Sequence, residues 1–289
     1  MSERASTSLV SEPEPSVEEP AATEIQRMPG GHGRSRRRAS RYSRLYMPVL
    51  TLMALAVVWE LAVEVFDIPS FVLAAPSAIA EAAVENYATL LEHMAITLFE
   101  ALAGFLLAIA VSLPLAVSIV YSRLLRDAVF PLIVLTQAMP MIAIAPVLLL
   151  ALGYGRLTKV VVAFLICFFP IVINAAAGLG NVAPERIELA RSLSASEFDI
   201  FRKIRFPTAL PSIFVGLKLG VTLAVIGAVI GEFVGSDEGL GYLVVISTAN
   251  ARTALSFAAI LTLGLMSILL FYGIVWLERL LVPWAARKG

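Results

Sequence analysis

Ionisable and amide side chains set within apolar sequence are the places where this chain could do chemistry. Glu60, Glu64, Glu100, Glu232 and Lys218 fall inside long apolar segments, and Gln137 and Asn174 are the uncharged polar groups near the middle of such segments. A carboxylate at mid-membrane depth would carry protons or bind cations. Each of these carboxylates instead lies toward a segment end, and Lys218 is placed to snorkel to the headgroups. An ion-driven carrier, which needs a titratable or ion-binding group at depth, is therefore disfavoured. Enzyme chemistry finds no better footing. HExxH, GxxxxGK[ST] and GxSxG are absent, His32 and His93 are isolated, and the single Cys167 sits in an apolar run. No catalytic, cofactor or metal site is expected, and an ATP-driven role requires a separate nucleotide-binding subunit.

The other concentration of functional groups is the polar stretch 185–211, ERIELARSLSASEFDIFRKIRFPTALP. Pro184 suits the first turn of a helix, which should run through Glu188, Ala190 and Arg191 to Leu193. Ser194 followed by Glu197 reads as a capping box that starts a second helix. That helix should carry an apolar stripe of Phe198, Phe201 and Ile204 beside Arg202, Lys203 and Arg205. Pro207 should end it, and Pro211 should prepare the turn into the next segment. An amphipathic helix lying on a membrane shows the same periodicity, so period alone leaves both readings open.

The elements that position these groups follow from composition. The chain is 59% hydrophobic and 15% charged, with a mean hydropathy of +0.86, against roughly 45–50% apolar and 25% charged in a soluble domain. It reads as an all-α polytopic membrane protein. Residues 1–45 hold no apolar run and should form a disordered tail, acidic first (Glu12, Glu14, Glu18, Glu19) and then basic (Arg34, Arg36, Arg37, Arg38, Arg41, Arg44). Beside a span the arginines act as an orientation signal, with a contribution from anionic lipid, rather than as a nucleic-acid patch. Six stretches have spanning length: 46–66, 96–121, 129–152, 159–179, 212–234 and 255–281. With the basic tail inside, Arg123, Arg126, Arg186, Arg191, Arg202, Lys203, Arg205, Arg279, Arg287 and Lys288 all fall in the cytoplasm, while Arg156, Lys159 and Arg252 fall outside. Both termini should be cytoplasmic, and so should the stretch 185–211. Residues 68–93 should form an external interfacial helix.

Proline punctuates the middle spans: Pro131, Pro140 and Pro146 in the third, Pro170 in the fourth. Each removes a backbone donor, so in lipid the freed carbonyls need a partner helix or water. Gln137, Met139, Met141, Asn174 and Glu232 are the candidate pathway residues on this basis. For the two amides, hydrogen bonding between helices is an equal reading. The glycines of GLKLGVTLAVIGAVIGEF in the fifth span suit close helix packing.

The order Glu188-Leu189-Ala190, Ser194, then Ile204-Arg205-Phe206-Pro207 resembles the EAA motif of the permease subunits of bacterial ABC importers. Leu189 and Ser194 depart from it, standing where Ala and the turn Gly are usual, and Ser194 as an N-cap offers another way to start the second helix. PSFVLAAPSAIA, QAMPMIAIAPVLLLALGYGRLTK, FFPIVINAAAGL and GEFVGSDEGLGYLV resemble the branch importing nitrate, sulfonates, taurine, thiamine precursors and riboflavin. The resemblance implies a six-helix, MetI-like type I permease domain over 46–283, with a coupling loop at 181–211 and a short cytoplasmic tail at 284–289. It implies a prokaryotic cell membrane and a second permease copy as a homodimer. Cytoplasmic ATPase subunits would hold ATP and Mg, and an extracytoplasmic solute-binding protein would dock outside. Glu188, Ala190, Ser194, Phe198, Phe201, Ile204 and Pro207 would form the coupling loop. The last two quoted stretches are most similar to riboflavin and pyrimidine-precursor members, which implies a vitamin-type heterocycle as solute. Sulfonate, taurine or nitrate is the alternative, and an ATP-independent carrier or channel is the alternative of another class.

Overall fold

In a computed structural model of the chain, residues 43–138 and 140–284 are described. Among them every regular element is helical: α1 (Ser43–Val65), α2 (Pro76–Glu85), α3 (Tyr87–Tyr121), α4 (Arg123–Ala138), α5 (Met141–Leu152), α6 (Arg156–Gly180), α7 (Pro184–Ser192), α8 (Glu197–Ile200), α9 (Phe206–Gly235), α10 (Leu240–Ala249) and α11 (Thr253–Leu281). Chains of this hydropathy satisfy every backbone group within the helix, because lipid offers none. The chain divides after Leu50 into two units. The described part of the first is the opening turns of α1, and the second holds the rest.

Among the described residues, α3, α6, α11 and the continuous helix Glu197–Gly235 are long and apolar enough to cross a membrane. The expected third span differs. Residues 129–152 do not form one helix but divide between α4 and α5, with Pro140 in an extended conformation at the break (φ −68°, ψ 100°). Proline lacks the N–H that would continue the ladder and pushes the preceding residue out of the helical region. Pro131 and Pro146 are carried inside α4 and α5. The expected interfacial helix over 68–93 is also shorter. Only α2 stands apart, and residues from Tyr87 already belong to α3. Glu60 from α1 holds α2 at its start, accepting from the Ser77 N–H (3.0 Å) and the Ser77 hydroxyl (2.5 Å).

Small residues fix the core. α6 lies between α3 and α9, and Ala163 at its centre is fully buried. Gly104 of α3 and Gly227 of α9 both close on it: a Cβ on Gly104 would stand 2.6 Å from the Ala163 Cβ, and one on Gly227 2.6 Å from its Cα. Close approach at small residues gives the van der Waals contact that drives association in lipid. Phe105, Ile171, Phe214 and Val221 complete the buried layer. The opposite helix faces expose Leu150, Leu269 and Trp276, as a lipid-facing surface should.

Candidate functional site

The stretch after α6 folds as two short helices whose joint is set by Ser194. Its φ is 59°, the left-handed region. The Ser194 N–H donates to the Arg191 carbonyl (2.9 Å) and the Ala195 N–H to the Ala190 carbonyl (3.0 Å). That pair of bonds is the Schellman closure of α7, with Ser194 at the position that glycine usually takes. Ser194 is therefore a turn residue, not the N-cap the sequence suggested. The cap is Ser196, whose Oγ accepts the Asp199 N–H (3.1 Å) and donates to Asp199 Oδ2 (2.7 Å). Glu197, the expected capping-box acid, pairs instead with Arg191 (2.8 Å). Lys203 at 2.8 Å and the Ser196 hydroxyl hold the Asp199 carboxyl below the ordinary carboxylate range.

Burial within the loop also departs from the expected stripe. Fully buried Ile200 packs with Val182 and Ile187, and Ala190, Ala195 and Ile204 close around them. Phe198 is 69% exposed, as are Leu189 (63%) and Leu193 (75%). Glu188 is exposed too. The loop thus has its own apolar anchor and turns three large apolar side chains outward.

A rigid link joins the loop to the bundle. Pro207 does not end the second helix. A π-helical turn over Phe201–Arg205 leads directly into α9, with the Phe206 N–H reaching back to the Phe201 carbonyl. The wider turn precedes the position where proline would otherwise break the ladder. Pro207 falls in the first turn of α9, where its missing donor costs little, and Pro211 is carried inside. Half-buried Phe201 meets the rings of Tyr121 (6.5 Å between centroids) and Phe206 (5.9 Å). Arg205 lies over Tyr121 at 5.5 Å and donates to the Leu179 carbonyl (3.1 Å). The loop is fastened to the ends of α3, α6 and α9 together.

Of the candidate pathway residues, the side chains of Asn174 and Glu232 are described. Met139 lies outside the described residues, as do the side chains of Gln137 and Met141. Asn174 donates to the Pro170 carbonyl of its own helix (2.8 Å) and packs where Gly216 of α9 closes on its Cβ. Glu232 is buried, and its oxygens accept from Thr97 Oγ1 (2.6 Å) and the Gly241 N–H (2.5 Å). It caps the start of α10, where a carboxylate meets the positive helix end. A Cβ at Gly239 or Gly241 would collide with its carboxylate, which explains the last two glycines of GSDEGLG.

Around Glu232 lies a polar cluster that sequence reasoning missed. Lys159, expected in an external loop, is buried with its Nζ 2.9 Å from Glu100. Thr97 accepts the Leu240 N–H (2.8 Å), and His93 Nδ1 accepts the Gly239 N–H (2.9 Å). Glu238 pairs with Arg156 (2.8 Å), which holds its carboxyl below the usual range. A cleft of about 520 Å³ opens beside Lys159 and Glu238. Two ion pairs and the hydrogen bonds that hold Glu232 thus tie α3, α6 and α9 to the start of α10.

A helical bundle with an exposed loop fused to its core recurs in known proteins. The family model for the binding-protein-dependent transport system inner membrane component matches residues 102–287. The chain belongs to this family. The riboflavin transport system permease protein RibX of Chloroflexus aurantiacus is 38% identical over 84% of this chain and 91% of its own. The formylaminopyrimidine transport permease protein ThiX of Halalkalibacterium halodurans is 34% identical over 83% and 96%. Among solved structures, a chain of the inward-facing MetNI methionine ABC transporter superposes with a TM-score of 0.58 at 19% identity, covering 66% of this chain and 95% of that one. The fold is thus that of MetI-like permeases, and the chain is an integral membrane permease subunit of an ABC importer.

Proposed function

We propose that this permease moves a vitamin-type heterocycle, riboflavin or a pyrimidine precursor of thiamine, by alternating access in a homodimer. Each copy has six spans over residues 46–283, with the tails 1–45 and 284–289 in the cytoplasm. Cytoplasmic ATPase subunits carrying ATP and Mg dock on the loop at 181–211, and a solute-binding protein docks on the opposite face. The observation that carries the mechanism is the unbroken helix Glu197–Gly235. Its first turns present Phe198 to the water and its last hold Glu232 in the far polar cluster. Closure of the ATPase pair moves α7 and α8, and the π-turn passes that movement to α9.

Charge supports the solute class. Lys218 pairs with Glu278 (2.9 Å) and Lys159 with Glu100, so the lysines of α6 and α9 are neutralised within the chain. An anion finds no free lysine there, which suits a neutral ring, as do the two relatives with riboflavin and formylaminopyrimidine in their names. The test is uptake by proteoliposomes containing the chain with its cognate ATPase and binding protein. Riboflavin or hydroxymethylpyrimidine should accumulate only with ATP, and taurine should not compete. Uptake that follows an ion gradient after ATP depletion would overturn the importer reading, and competition by taurine alone would overturn the solute class.

A further inference from the structure

A crevice of about 380 Å³ lies between α3, α4 and α6, lined by Ile119, Val120, Val172, Ile173, Ala176 and Arg126 and reaching Ala177 and Gly180. Its floor is apolar, with Ile119 and Val172 buried, and Arg126 is the charged group of its lining. That guanidinium is poorly used. Its Nη2 donates to the Val120 carbonyl at 3.4 Å, beyond the usual range for such a bond. Among the described residues Arg126 has no carboxylate ion-pair partner. Asp127, next in the chain, stands four residues from Arg123 and so shares that residue's side of α4.

We infer that this crevice binds an anionic phospholipid, with an acyl chain on the apolar floor and the phosphate against Arg126. The pairing follows from chemistry. Two of its walls, α3 and α6, are long and apolar enough to cross a membrane, so lipid is the molecule that surrounds them, and an apolar slot with one unpaired guanidinium fits an amphiphile of negative head. Guanidinium presents a planar fork of donors that matches phosphate oxygens. Basic pockets between membrane helices on the cytoplasmic side collect acidic headgroups for this reason. A neutral heterocycle would leave Arg126 unpaired, so the transported solute is the poorer occupant. The site has a mechanical consequence, because the crevice ends at Gly180, beside the Leu179 carbonyl on which Arg205 leans. A bound lipid braces the end of α6 that carries the loop. The inference rests on the proposed reading in one respect, that this end of the bundle is cytoplasmic.

The experiment is native mass spectrometry of the full chain released from nanodiscs of phosphatidylglycerol and phosphatidylcholine, with ATP-driven uptake measured in liposomes of the same lipids. Phosphatidylglycerol should be retained in preference by roughly fivefold, the ratio expected for one basic residue at an anionic surface. The preference should vanish in Arg126→Gln, survive in Arg126→Lys, and fall in Ala177→Phe, which fills the slot without touching the charge. Ala177 is exposed, so the last variant keeps the test standing if Arg126→Gln fails to fold. Equal retention of the two lipids overturns the inference. So does a preference unchanged in Arg126→Gln and Ala177→Phe, which would assign the crevice to the solute or to a second copy of the chain. If uptake needs ATP without any lipid preference, the lipid site alone fails. If the preference appears but uptake ignores ATP, the importer reading fails and the lipid site stands.

Discussion

Ser194 holds a φ of 59° with a side chain that disfavours it. The left-handed region costs an L residue roughly 1–2 kcal/mol that glycine does not incur. Ser194→Gly should therefore slow proteolysis between α7 and α8 about fivefold, in line with a gain of about 1 kcal/mol, and Ser194→Val should speed it. The sequence pointed to Ser194 with Glu197, whereas the structure caps with Ser196 and Asp199. What decides is tertiary, because Ala190 and Ala195 meet over Ile200, which puts Ser194 in the closing turn of α7 and leaves Ser196 to start the next helix. Asp199 adds a pH signature. Its folded carboxyl titrates below its ordinary value, so its contribution to the cap is complete above that value and is lost as pH falls through the lowered one. Proteolytic protection of the loop should be flat between about pH 5 and 8, and Asp199→Asn should lower it throughout that window. Lys159 and Glu100 show a different exposure to mutation. Lys159→Met leaves a buried carboxylate without its cation, which costs about 3–5 kcal/mol. The monodisperse yield in detergent should collapse, and Glu100→Gln added to Lys159→Met should restore most of it. The sequence put Glu100 near the start of a span and Lys159 outside, and the contact joins positions far apart in the chain, which no local pattern encodes.

At the level of elements, the π-turn Phe201–Arg205 is the joint between loop and bundle. Each residue of an α-helix adds about 100° of rotation, so an alanine inserted between Ile200 and Phe201 should turn α8 by about that angle relative to α9. Phe198 would then face another direction while every α9 contact persists. We expect normal insertion and basal ATP hydrolysis, with solute-stimulated hydrolysis and uptake lost together. Phe201→Ala should give a milder form of the same defect, since Phe201 packs on Tyr121 and Phe206 and thereby transmits rather than docks. The long apolar runs of α3, α6 and α11 were legible from length and hydropathy alone. The breaks were not. Pro140 interrupts the expected stretch whereas Pro131, Pro146, Pro170 and Pro211 are carried inside helices, a difference that the presence of proline alone does not encode.

For the whole molecule, the family and its fold were readable because the EAA spacing and the hydropathy pattern are properties of the chain itself. The outward face of the loop proposed to meet an ATPase was legible only in part. Glu188 and Phe198 stand exposed where the motif implied contact, but Ile200, not Phe198, anchors the loop, and Leu189 and Leu193 join the outward face because α7 ends in a left-handed turn. A docking face made by Leu189 and Leu193 at the end of α7 and by Phe198 on the helix that continues into the core is the central claim of the proposed coupling of ATP to movement. It is tested most directly by purifying the tagged permease with its ATPase and measuring ATPase bound per permease chain. Leu193→Glu and Phe198→Glu, both at exposed positions that leave Ile200 and the bundle untouched, should each reduce the bound ATPase by about tenfold or more, as loss of an apolar anchor at an interface does. Wild-type amounts of ATPase on both variants, with the permease inserted normally, would contradict the account.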